Sequence, residues 1–357
     1  MSAPTTVTKT SSTDSRPAAG ATNLRFGRAT PQRRIAVAIV LAALLAAPWV
    51  VNAYTISTAS RILVMGLLAM SVSLLTGVAG MPTLAQAAYF GIGAYTAALL
   101  ARAGVVIGPV QVLAAVVIAT VVAVVTGSVV VRTRGVTFLM LTLAVGELTY
   151  SAAVGWRDVS GGTDGLSGIP AVVPLPGMEP LVNDGLIYYY VLAVFLLLFA
   201  GTGLLVRSPY GLALRCIRDN EDRIRATGYP VYGYLLSGYA IAGGLAGAAG
   251  ALWISVTRYV SPADLGFSVA AVALLAAVIG GIGSMWGACL GAAVVVLVRD
   301  YIGGVDVPFT EYTATGPLLL GITYIAVVYL LPRGVAGSLR SLPDWWRRRT
   351  AKAVKQS

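Results

Sequence analysis

Along most of this chain, apolar residues run in blocks about 20 residues long, broken by short polar or Gly/Pro-rich joints. Blocks of that length suit helices crossing a membrane, where every backbone amide must be bonded within its own segment. Ten are legible: Ile35–Tyr54, Arg61–Gly80, Thr83–Ala101, Ile107–Val131, Val136–Gly155, Ile187–Val206, Val231–Val256, Phe267–Ser284, Gly287–Tyr301 and Thr315–Leu331. The expected fold is an all-α polytopic membrane protein with about ten transmembrane helices. A permease-like domain would span 35–332, between a disordered basic tail at 1–34 and a basic tail at 333–357. Split five and five, the blocks form halves of opposite orientation. The third block of each half is rich in small residues, as an inverted repeat around a permeation path would require. Close helix packing alone also accounts for small residues at those places.

One stretch departs from the pattern. Arg207–Gly228 is dense in charge, with Ser208 and Pro209 suited to a helix start and Gly228 and Pro230 to its end. On a helical wheel Tyr210, Ala213, Leu214, Ile217 and Ile224 share a stripe. A helix at about 208–228 could dock a soluble partner, or simply be a solvated loop; the pattern fits both.

Composition excludes a soluble domain: 57% of residues are apolar, 11% are charged and the mean hydropathy is +0.82. With the N-terminus inside, most of the 25 Lys and Arg residues and a minority of the 14 Asp and Glu residues fall in inner segments. That bias predicts both termini in the cytoplasm of a cell-membrane protein. The net charge of +11 then serves topology and anionic lipid, with no nucleic-acid partner expected. Histidine is absent, and Cys216 and Cys289 are isolated, so neither a catalytic cluster nor a metal site is expected. The Gly/Pro-rich outer segment 156–186 reads as turns. It either lines an entrance and meets an outer partner, with Thr163 and Asp164 as contact candidates, or is a passive cover.

Glu147 is the single acidic residue in the interior of the ten blocks, Asp300 falling at the end of the ninth. A carboxylate there must face protein or water. Binding an ammonium group, pairing with arginine and accepting hydrogen bonds all satisfy that demand. Ion-coupled carriers place several ionisable groups at this depth, and no P-loop pattern GxxxxGK[ST] is present. Transport without ion or ATPase machinery of its own points to a partner that supplies the energy.

Six separated motifs in order carry a resemblance: TGVAGMPTLAQAAYFGIGAYTAALLA at 76–101, LTLAVGELTY at 141–150, SGGTDGLSGIP at 160–170, RSPYGLALRCIRDNEDRIRATGYP at 207–230, GGIGSMWGACLGA at 280–292 and LPRGVAGSL at 331–339. Over roughly 60–337 the chain resembles the permease subunits of branched-chain amino acid ABC importers, the LivM-like family. It departs from the family's frequent Ser-Leu-Gly-Gln run, having Ala85 where that run has glycine.

The resemblance implies a type II ABC importer permease that does no covalent chemistry and holds no cofactor, ATP being bound by its partners. Those partners would be a second permease subunit in a heterodimer, two ABC ATPase subunits and an extracytoplasmic solute-binding protein. It further implies ATPase coupling through Leu214, Arg215, Ile217, Arg218, Asp219, Glu221 and Ile224, with Leu214, Ile217 and Ile224 entering a groove on the ATPase. Candidates for the translocation path are Gln86, Tyr89, Gly91, Gly93, Glu147, Gly281 and Gly283. Permeases of this architecture for urea, short amides or another small polar solute stay open as alternatives, as does an ion-coupled secondary carrier.

Overall fold

The computed structural model describes residues 42–46, 48–49, 52–174, 177, 179–181, 183–303, 315–330 and 334. The chain divides into two compact units, Met1–Ala47 and Pro48–Ser357. In the first, residues 42–46 are helical. Most of the expected first span and both basic tails, apart from Gly334, lie outside the described residues.

The second unit is helical, and its described residues contain no strand, only two isolated bridges. Its helices are α1 (Ala53–Ser73), continued by a π-helical segment Leu74–Ala79, α2 (Gln86–Arg102), α3 (Gly108–Val130), α4 (Gly135–Gly155) and α5 (Asp184–Arg207). After these come α6 (Pro209–Asp219), α7 (Glu221–Ala226), α8 (Val231–Thr257), α9 (Phe267–Gly280), α10 (Met285–Gly303) and α11 (Thr315–Leu330). Among the described residues, five segments are long and apolar enough to cross a membrane: Ala53–Ala79, α3, α4, α5 and α8. The remaining apolar helices α2, α9, α10 and α11 have 17, 14, 19 and 16 residues.

Three expected boundaries move. Residues 55–60, read as a loop, lie inside α1. The third helix starts at Gln86 rather than Thr83, because Thr83 Oγ1 accepts from the Ala85 amide and closes a turn first. The α9 helix stops at Gly280, short of Ser284, where Gly281 turns away at φ 104°.

At the centre lies α8, whose run GGLAGAAG at 243–250 presents almost no side chain. A Cβ on Gly247 would meet Ala119 and the Ala115 carbonyl of α3, and one on Gly250 would meet the Phe90 carbonyl of α2. Three helices thus pack backbone to backbone, the contact that lipid, as apolar as leucine, leaves to van der Waals forces. The α3 helix makes the logic visible. Ala115, Ala119 and Ala123 are fully buried, while Leu113, Val117, Val121 and Val125 point outward on the opposite face. Small residues therefore face protein and bulky ones face the surroundings, the reverse of a water-soluble helix. A buried polar chain joins the same three helices: the Tyr89 hydroxyl donates to Tyr239 Oη at 2.9 Å and lies 2.6 Å from Thr126 Oγ1.

Candidate functional site

Arg207–Gly228 forms two helices rather than the single one expected. Ser208 caps α6, its hydroxyl accepting from the Gly211 amide, and Pro209 takes the first helical position. The helix ends at Asn220, which is extended at φ −160° and ψ 95°, and whose side chain accepts from the Arg223 amide to cap α7. Asparagine competes well for backbone donors at a cap, so Asp219-Asn220 breaks the run that periodicity alone would continue. Gly228 then closes the pair at φ 85°.

The apolar stripe turns inward. Leu214 and Ile217 are 2% and 3% exposed, covered by this chain's own helices, and Ile224 is half-buried. Leu214 lies beside Gly238 of α8, and Tyr210 Oη is 2.6 Å from Ser237 Oγ. The expectation had Leu214 and Ile217 facing a partner; here both are buried within the chain itself. A wheel tells which face is apolar but not which surface meets it, and the nearest apolar surface is the bundle itself. Outward on α6 and α7 point Leu212, Cys216, Asp219 and Arg223.

Several charges on the pair bind inward as well. Arg218 donates from Nη1 to the Gly77 carbonyl in the π-helical segment, and from Nε and Nη2 to Asp219. Arg215 Nη2 donates to the Val206 carbonyl at 3.3 Å. Glu221 accepts from Arg134 Nε and Nη2, both at 2.8 Å, and from Arg225 Nη2 at 2.8 Å. The Arg134 hydrogen bonds hold the Glu221 carboxyl below the ordinary glutamate range. With side chains 44% and 24% exposed, an ion pair of this kind contributes about 0–1 kcal/mol. Its two-pronged geometry is the informative feature.

The path candidates fall in three places. Gln86, Tyr89, Gly91 and Gly93 are buried or nearly so in the α2 packing. There Gly91 makes room for Leu265, and Gly93 for the Gly247 backbone. The Gln86 carbonyl accepts from Ser71 Oγ at 3.3 Å, while its buried amide nitrogen has no partner among the described residues. Gly281 and Gly283 form the turn between α9 and α10, and a Cβ on Gly77 would meet the Gly283 backbone. Glu147 stands apart from both groups, exposed on α4. With Tyr150, Ala263, Gly266, Phe267 and Ser268 it lines a cavity of about 250 Å³. One residue earlier, Gly146 lies against the Leu84 carbonyl, and Thr142 Oγ1 accepts from the Leu84 amide at 3.2 Å. This face of α4 therefore contacts the turn before α2.

The Gly/Pro-rich segment is more ordered than a string of turns. It contains a helical turn at Arg157–Ser160 and a 3₁₀ turn at Gly162–Asp164. Leu166 and Val260 exchange backbone hydrogen bonds, and the Tyr259 hydroxyl donates to the Asp164 carbonyl. Thr163 and Asp164 are left exposed on this braced turn. Sequence reasoning missed Arg134, Tyr259 and the cap at Asn220. Only the last carries a local signal, an Asn followed by Glu and Asp.

Close-packed small residues, outward-facing bulky ones and a carboxylate beside a cavity on a membrane-length helix define a polytopic membrane protein of the permease class. The chain belongs to the family described as branched-chain amino acid transport system / permease component, which matches residues 54–328. It is similar to the high-affinity branched-chain amino acid transport system permease protein LivM of Escherichia coli K12. The two are 26% identical over 331 residues, covering 87% of this chain and 76% of that protein. The LivM protein of Salmonella typhimurium is 25% identical over 328 residues, covering 86% and 75%.

Proposed function

We propose that this chain is the membrane-spanning permease subunit of an ABC importer for branched-chain or related amino acids. In this reading it pairs with a second permease subunit, takes solute from an extracytoplasmic binding protein at the outer mouth, and is driven by two ABC ATPase subunits. ATP is bound and hydrolysed in those partners, and both termini lie in the cytoplasm. The observation that carries the reading is the family match over 54–328, which includes both Glu147 and the capped helix pair.

On the helix pair, the docking face is the one directed away from the bundle: Leu212, Cys216, Asp219 and Arg223. A helix that offers a partner one apolar side chain within a charged rim fits a shallow groove. Glu147 lines the path. A carboxylate on a membrane span needs water or a counter-charge, and the ammonium group of an amino acid supplies the latter transiently. Arg218 and Glu221 act inside the subunit, holding the pair to the bundle.

Purification of the full-length chain from its native membranes in mild detergent tests the reading. An ABC ATPase and a second permease are expected in stoichiometric amounts. A chain that purifies alone and moves solute on an ion gradient would overturn it.

A further inference from the structure

The helix pair must move something if a soluble ATPase is to open a path, and the bonds it makes inside the chain identify what. Three ion pairs occur among the described residues. Two are local, Arg218 with Asp219 and Arg225 with Glu221 one helical turn away. The third, Arg134 with Glu221, joins α7 to the corner between α3 and α4, across 87 positions of sequence.

That corner is built as a pivot. Arg134 Nη1 donates to the carbonyl of Val131 at the C-terminus of α3 at 2.8 Å, where terminal carbonyls lack helical partners. The same guanidinium presents Nε and Nη2 to Glu221. The next residue, Gly135, opens α4 at φ 60°, a conformation that side chains with a Cβ adopt at a cost. Beyond it α4 is little covered by the rest of the chain, with Phe138 and Thr142 its buried residues, although it packs at its ends and along one face. By contrast, the end of α3 is fastened to α8: the Tyr232 hydroxyl donates to the Ser128 carbonyl, and the Arg132 guanidinium lies 5.6 Å from the Tyr232 ring. Glu147 lies 12 residues beyond Gly135, about 18 Å along α4.

Resting on the importer reading above, we propose that Arg134 and Glu221 form the transmission link that turns movement of the ATPase-docked helix pair into movement of α4 and its Glu147 cavity. Arg134 is a positioning residue: it touches neither solute nor ATPase. Its planar fork fixes the direction of the link, which a flexible lysine ammonium does not.

The test is a charge swap in the intact complex. The chromosomal copy is replaced by Arg134→Glu, Glu221→Arg or both. Three quantities are read: ATPase retained on the purified chain, radiolabelled leucine uptake, and ATP hydrolysed per leucine moved. Each single variant is expected to retain the ATPase, lose at least tenfold in uptake and hydrolyse more ATP per leucine. The double swap recovers at least half of the uptake. Arg134→Lys and Glu221→Gln, which disturb folding least, show the same change in ratio at smaller size. Wild-type uptake and ratio in these two variants, or a double swap no better than the singles at normal membrane levels, overturns the link. A wild-type chain without an ATPase overturns the importer reading itself, and the link falls with it.

Discussion

Arg218 in α6 donates a hydrogen bond to the carbonyl of Gly77, 141 positions earlier, in the π-helical end of α1. Gly77 in turn has the Gly283 backbone where its side chain would be. A soluble-looking helix, a widened helical turn and a glycine turn are thereby locked together. Removing the donor leaves the junction without a carbonyl partner. Arg218→Ala is expected to lower leucine uptake severalfold with modest change in membrane level, and Arg218→Lys to recover part of it. Uptake and level are read together by radiolabelled leucine and immunoblot.

Gly77→Ala is predicted to be worse. The new methyl must displace the Gly283 backbone, a form of overpacking that costs about 1–3 kcal/mol. The expected outcome is a reduced amount of folded protein and a lower thermal midpoint in detergent.

The two faces of α6 should respond oppositely. Ile217 is buried in its own chain, so Ile217→Asn loses apolar packing and strands an amide, about 3 kcal/mol together, and membrane levels fall. Leu212 is 56% exposed, so Leu212→Glu should cost about 0.5 kcal/mol or less, yet release the ATPase on purification. The same ATPase retention in both variants at equal levels would count against the assigned docking face.

Glu147 and Gln86 separate path from packing. Glu147 is exposed beside its cavity, so Glu147→Gln should leave membrane levels unchanged and alter leucine uptake by about tenfold. Gln86 keeps a buried amide nitrogen without a partner, at a cost of about 1–3 kcal/mol, whereas Ser71 has a second acceptor in the Leu68 carbonyl. Gln86→Met is therefore expected to be neutral or stabilising to the fold while uptake drops.

The sign of the Glu221 shift fixes a pH window. Its pKa is lowered from 4.5, so whatever the ion pair contributes is fully present above that value and is lost as pH falls through the lowered one. The ratio of wild-type to Glu221→Gln uptake should stay constant between about pH 5 and 8.

The helices themselves were legible because lipid imposes a length on each block, and the Ser208–Pro209 start was legible because caps are local. Periodicity also picked out the stripe through Leu214 and Ile217; the family resemblance turned it toward a partner, whereas both side chains are buried in the chain's own bundle. Arg134, Gly77 and Tyr259 were invisible because their meaning lies in residues at least 87 positions away. An Arg near a span end, here beside Arg132, looks like any other positive-inside charge. Gly91 and Gly93 showed the opposite ambiguity: the small residues a path would need are those that let α2 approach Leu265 and α8.

The central claim is transport powered by a partner's ATP hydrolysis. Its most direct measurement is leucine uptake by proteoliposomes holding the purified complex, with ATP and Mg²⁺ enclosed at the ATPase side and binding protein outside. The account predicts accumulation that requires both ATP and binding protein and that disappears with Leu212→Glu. Accumulation driven by a sodium or proton gradient without ATP, or ATP-driven uptake of urea with none of leucine, would contradict it.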